Sequence, residues 1–80
     1  MTEKQEEQLR KELGRRLRQT RRKLNLTREF VAEQLGCSDR MISFWETGAR
    51  DIRFLDLVRL GELYGCSWLE WVPEELLVIQ

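Results

Sequence analysis

Apolar residues recur at helical spacing along almost the whole chain, and no segment alternates apolar and polar positions as a half-buried strand would. Leu9, Leu13, Leu17, Thr20 and Leu24 form one stripe of a long first helix. Its glutamate-rich start places negative charge at the positive end of the helix dipole. Asn25 follows, a residue that tolerates left-handed backbone. Two shorter amphipathic runs come next. Thr27 is a good cap for the first, which carries Phe30, Val31 and Leu35 on one side with Ala32 at the flank. Ser38 caps the second, in which Ile42 and Trp45 share a side that Met41 extends. Gly36 stands where a helix needs a left-handed residue to stop. A fourth helix is expected over about residues 53–64, with Phe54, Leu57, Val58 and Tyr64 toward the core and Leu55, Leu60 and Leu63 on other sides. A fifth starts at Ser67, and Pro73-Glu74-Glu75 can begin a final turn. Asp51 is the nearest capping candidate for the fourth helix.

The link from Leu35 to Ser38 leaves room only for a tight corner between helices, which makes residues 26–48 a helix-turn-helix. The chain here resembles the lambda-repressor and Cro type of helix-turn-helix domain, the XRE-like family. The resemblance spans about residues 13–71 and rests on Leu13-Gly14, Leu17, Arg21, Leu26-Thr27, Val31-Ala32, Leu35-Gly36, Cys37-Ser38, Ile42, Trp45-Glu46, Gly48 and Arg50. Phe54, Leu57, Leu60 and Gly65-Cys66-Ser67 complete the register without a gap. It implies an all-α, five-helix domain with an extended first helix, occupying residues 1–80 as one unit with a short apolar tail at 72–80.

Charge distribution says more than its total. The 80 residues hold 14 basic and 14 acidic side chains and no histidine. Yet residues 10–28 carry nine basic side chains against Glu12, a local balance of +8, while residues 54–80 balance at −4. Screening limits the reach of the acidic end to about 10 Å, so one basic face can still attract a polyanion. The plain alternative is a solvated charged surface on the first helix. Cys37 and Cys66 lie in the same phrase, Gly-Cys-Ser, and read as small hydrophobes. Zinc needs about four ligands, so two cysteines without histidine give no metal site. No apolar run approaches membrane-spanning length and no signal peptide is evident, so a cytoplasmic protein is expected.

The resemblance implies a function. In that family the third helix enters the major groove and the amino end of the second meets a phosphate. The positions resembling the base-reading set are Asp39, Arg40, Ser43 and Phe44; those resembling backbone contacts are Thr27, Arg28, Arg50 and Arg53. Arg40 suits guanine, Asp39 suits cytosine N4, and Phe44 suits a thymine methyl. Glu46 resembles the glutamate that pairs with an arginine of the first helix, here Arg21. Trp45 is expected in the core. Leu55, Leu63, Leu76, Leu77, Val78 and Ile79 are surplus apolar surface suited to a dimer, and Trp68 and Trp71 are expected either in the core or at that dimer contact. The expectation is a transcriptional regulator of the repressor Cro/C1 type, bacterial or phage and nucleoid-associated. It would be a homodimer on double-stranded DNA, with no cofactor, no small-molecule ligand and no membrane partner. Asp39 and Phe44 depart from the residues usual there, which leaves open a second class: a helix-turn-helix turned to protein interaction, as in bacterial cytoskeletal adaptors. An enzyme is not expected, for want of a histidine, a phosphate-binding glycine loop or a nucleophile beside a base.

Overall fold

The computed structural model describes residues 1–76. Four α-helices follow one another: α1 (Glu3–Lys23), α2 (Arg28–Leu35), α3 (Asp39–Thr47) and α4 (Phe54–Tyr64). Two single 3₁₀ turns, Trp68–Trp71 and Glu74–Leu76, follow, and there is no strand among the described residues.

Local chemistry sets each boundary. Thr2 and Gln5 form a capping box at the start of α1: the Thr2 hydroxyl accepts from the Gln5 amide at 3.1 Å, and the Thr2 amide donates to the Gln5 side chain at 2.8 Å. Glu3 and Glu6 in the first turn and Arg21, Arg22 and Lys23 in the last suit the dipole. The chain then reverses through Asn25, whose φ is 57°. Thr27 and Ser38 cap α2 and α3 in the same way, their hydroxyls accepting from Phe30 and Met41 amides. Between these two helices Gly36 takes φ 73°, a left-handed conformation in which a side chain would be strained.

The core is built from Leu17 of α1, Val31, Ala32 and Leu35 of α2, Ile42 and Trp45 of α3, Leu57, Leu60 and Tyr64 of α4, and Trp71. At about 100° of rotation per residue, Val31, Ala32 and Leu35 share the buried flank of α2. Phe30 falls off that flank and is 41% exposed, contrary to the expected stripe. On α4 the buried set is Leu57, Leu60, Gly61 and Tyr64, the i, i+3, i+4, i+7 pattern. Leu60 is therefore interior rather than on another side. Phe54 begins the same stripe, but beyond the edge of the core, so it is exposed and meets Trp68 edge-on at 5.2 Å. Leu24 likewise ends α1 exposed.

The expected fifth helix is a single 3₁₀ turn. Ser67 does cap it, accepting from the Leu69 amide. Pro73 then forbids continuation: it has no N–H to donate and holds Val72 extended at ψ 124°. The turn nonetheless packs firmly. Trp71 is 1% exposed, meets Tyr64 edge-on at 5.7 Å, and donates its indole N–H to the Thr20 hydroxyl at 2.9 Å.

Asp51 does not cap α4. Its carboxylate lies out in solvent with Arg10 at 3.8 Å, and the capping position, Arg53, makes no side-chain cap bond. Cys37 and Cys66 are free, half-buried thiols, and burial pushes both above the ordinary thiol range. Among the described residues no group of three metal-ligating side chains comes together, and no helix is long and apolar enough to cross a membrane.

Candidate functional site

α2 and α3 meet at the Gly36 corner, and α1 packs against α3 from behind. The inner side of α3 is committed to the fold. Ile42 and Trp45 are in the core, and Glu46 is buried against α1. Arg21 donates to Glu46 twice, from Nε at 2.6 Å and from Nη2 at 3.1 Å, and from Nη1 to the Leu26 carbonyl at 2.7 Å. Bonding to Glu46 raises the Arg21 pKa above its ordinary value. The guanidinium and carboxylate therefore lock α1, the following turn and α3 together.

The outer side of α3 carries the remaining candidates. Asp39 and Arg40 are exposed in its first turn; Ser43 and Phe44 are half-buried one turn on. Arg40 and Arg50 both place their guanidiniums over the Phe44 ring, at 5.3 Å and 5.1 Å from its centre. Neither has a carboxylate partner among the described residues. Thus the structure brings Arg40, Phe44 and Arg50 into one cluster. Asp39 makes no side-chain bond with it.

The other cations are less free. Arg28, in the first turn of α2, donates to Glu46 at 3.4 Å and is half-exposed. Thr27 spends a lone pair on its cap, leaving the hydroxyl proton available. Arg53 pairs with Asp56 at 3.1 Å, and Arg59 reaches the same carboxylate at 3.4 Å. Arg50 and Arg53 line one shallow cleft with Met41, Asp51, Asp56 and Arg59.

The basic run of the first helix is largely consumed by the fold. Arg10 donates to the Gly48 carbonyl at 3.1 Å and Arg16 to the Val72 carbonyl at 3.2 Å. Glu12 accepts from both Arg15 and Arg16, and Lys11 pairs with Glu7. Six of the nine basic side chains counted there, namely Arg10, Lys11, Arg15, Arg16, Arg21 and Arg28, have acidic partners. The apolar candidates divide as well. Leu55 and Leu76 are exposed at 70% and 50%, Leu63 and Trp68 pack half-buried on the core, and Trp71 is interior, the core alternative of the two expected for it. Leu77, Val78 and Ile79 lie outside the described residues.

Three structural partners were not among those expected. Arg59 donates to the Leu35 carbonyl at 2.7 Å and so closes the end of α2; Arg10 does the same for α3 at Gly48; and Asp56 gathers Arg53. The first two join residues far apart in sequence, whereas Asp56 stands three residues from Arg53, and Arg40 four from Phe44, spacings that do signal neighbours.

Two short capped helices joined at a left-handed glycine, braced by a long first helix, define a helix-turn-helix protein. The helix-turn-helix domain family matches residues 12–70, and the chain belongs to it. Two solved structures are similar, "Structure of the S. venezulae BldD DNA-binding domain" and "Crystal structure of the DNA-binding domain of BldD". Each is 26% identical with a TM-score of 0.74 and covers 82% of this chain, spanning 99% and 96% of its own. No curated protein sequence is measurably similar to the chain.

Proposed function

We propose that this domain is a sequence-specific, double-stranded-DNA-binding transcriptional regulator that works as a homodimer with α3 in the major groove. The observation that carries it is the pair Arg40, on the outer side of α3, and Arg50, in the loop after it, both exposed and without carboxylate partners among the described residues. The likeness to the DNA-binding domain of BldD supports the same reading. Arg40 reads a guanine through a bidentate bond, Asp39 and Ser43 face neighbouring base edges, and Thr27, Arg28, Arg50 and Arg53 meet phosphates. Such a regulator works in the cytoplasm, on the nucleoid.

A two-fold dimer would cover Phe54, Leu55, Leu69 and Leu76, all exposed, and set two α3 helices about 34 Å apart. The rival reading, an adaptor docking a protein through Phe44, has less support: two guanidiniums already cover that ring, leaving little bare apolar surface.

The test is binding to random and selected DNA pools across a salt series. Arg28, Arg50 and Arg53 from two subunits give about six phosphate contacts and a log–log slope near −5. Arg28 and Arg53 must leave Glu46 and Asp56 to make them, so a somewhat shallower slope fits too. A flat response would overturn DNA binding in favour of the adaptor.

A further inference from the structure

Phe44 is held to Arg40 and Arg50 by the backbone as well as the side chains. Arg40 precedes it by one helical turn, which places the two on the same face. After Gly48 reverses the chain at φ 78°, the Ala49 and Arg50 amides both donate to the Phe44 carbonyl, at 2.9 Å and 3.4 Å. The Arg50 backbone is thereby pinned beside the residue whose ring its guanidinium covers. The ring is half-buried, and both cations are exposed. An aromatic face attracts a guanidinium, and two guanidiniums on one ring also repel each other. The cluster is therefore a preformed pair of cations that an anion would relieve.

Resting on the DNA-binding reading, we propose that Phe44 is a positioning residue for Arg40 and Arg50 rather than a reader of bases. Its ring holds the Arg40 guanidinium at the start of α3 for a base edge and the Arg50 guanidinium at the loop for a phosphate. A free arginine loses rotamer freedom on docking; one already stacked has lost much of it. Aromatic character at position 44 thus sets both affinity and site preference.

Phe44→Leu separates the two roles, since leucine keeps an apolar contact with a thymine methyl but abolishes the stacking. Each exposed cation–π contact is worth about twofold to fivefold, so Phe44→Leu should weaken binding by roughly 5- to 30-fold for each half-site of the selected DNA. Phe44→Tyr should restore it. In the Arg40→Ala background the effect of Phe44→Leu should shrink, because one of its two clients is gone. A readout without DNA accompanies this: in the free protein, the Arg40 and Arg50 side-chain protons should show upfield ring-current shifts in NMR spectra, lost in Phe44→Leu while amide spectra elsewhere stay folded. Wild-type protein that shows the shifts yet binds no DNA overturns the functional reading, and the positioning role with it. DNA binding without the shifts, or Phe44→Leu binding as wild type does, overturns the positioning role alone.

Discussion

Gly14 of α1 presses on the backbone of α3 at Glu46: a Cβ built on Gly14 would stand 2.5 Å from the Glu46 carbonyl oxygen and would also strike the Trp45 carbonyl. The two helices touch through main chain, and the close approach brings Arg21 and Glu46 within bonding distance. Two effects oppose each other in Gly14→Ala. Alanine favours the helix by about 1 kcal/mol. The clash is with backbone, which cannot rotate away, and overpacking of this kind costs about 1–3 kcal/mol or more. The clash wins. Gly14→Ala should lower the melting temperature, by about 4–8 °C per net kcal/mol in a domain this size. A variant that melts higher would show that α1 and α3 can slide apart freely.

Glu46 is the next point of failure. With both partners buried, Glu46→Gln strands the Arg21 guanidinium, at a cost of about 3–5 kcal/mol. Replacing both, as Arg21→Met with Glu46→Leu, should recover part of that loss but not all, since the Leu26 carbonyl then loses its donor. Urea midpoints at unchanged m-value measure both. Equal losses in the single and double variants would mean the ion pair does not determine the cost.

How much of this was legible follows from how local each signal is. Thr27, Gly36, Ser38 and Asn25 act on backbone within a few residues, so their residue types alone placed the ends of α1, α2 and α3. The Arg21–Glu46 pairing crosses 25 positions and was available only through family resemblance. The cap at Ser67 and the apolar spacing after it point to a fifth helix, but a proline five residues past the turn's start stops it at one turn. Phe30 and Phe54 sat on plausible stripes, but burial depends on which neighbours cover a flank, and no periodicity states that. Arg10 and Arg16 keep their charge but end on the carbonyls of Gly48 and Val72, far away in sequence, which fixes their direction in a way that summed charge does not state. The cationic cluster beside α3, Arg40 with Arg50, depends on a ring between them.

Trp71 belongs to the chain's own interior. Trp71→Ala should cost about 3–5 kcal/mol through the cavity left behind. Trp71→Phe keeps most of the packing and removes the bond to Thr20, for about 0.5–1.5 kcal/mol; Thr20 still donates to the Arg16 carbonyl. Both losses should be the same at every protein concentration. A loss that grows on dilution would place Trp71 at a subunit boundary instead.

Acid should loosen the Glu12 cluster. Hydrogen bonds from Arg15 and then Arg16 hold the Glu12 carboxyl down to about 2 from an ordinary 4.5. A depressed folded-state pKa stabilises the protein above the unfolded value, and that stability is lost as pH falls from about 4.5 toward 2. The site is one-third exposed, so water screens the pairs and the effect is modest. Glu12→Gln should flatten the acid limb of the stability curve between pH 4.5 and 2 and leave it unchanged at neutral slope. An identical acid limb in the variant would assign the low-pH loss to other carboxylates.

Arg40 and Arg53 should respond differently to truncation, because their surroundings differ. Arg40 is exposed with no acidic partner among the described residues and sits in the first turn of α3, so the proposed contact is with a base edge. Arg53 would have to leave Asp56 to make the proposed phosphate contact, which would offset part of what it gains. Arg40→Ala should therefore cost about 1–3 kcal/mol on the selected site and relax preference at one base pair per half-site. Arg53→Ala should weaken every sequence alike and by less. Since neither side chain supports the core, circular dichroism should be unchanged in both. Competition binding against single-base variants of the site measures the difference. Should Arg40→Ala weaken selected and random DNA equally, Arg40 is a phosphate contact, and base reading falls to Asp39 and Ser43.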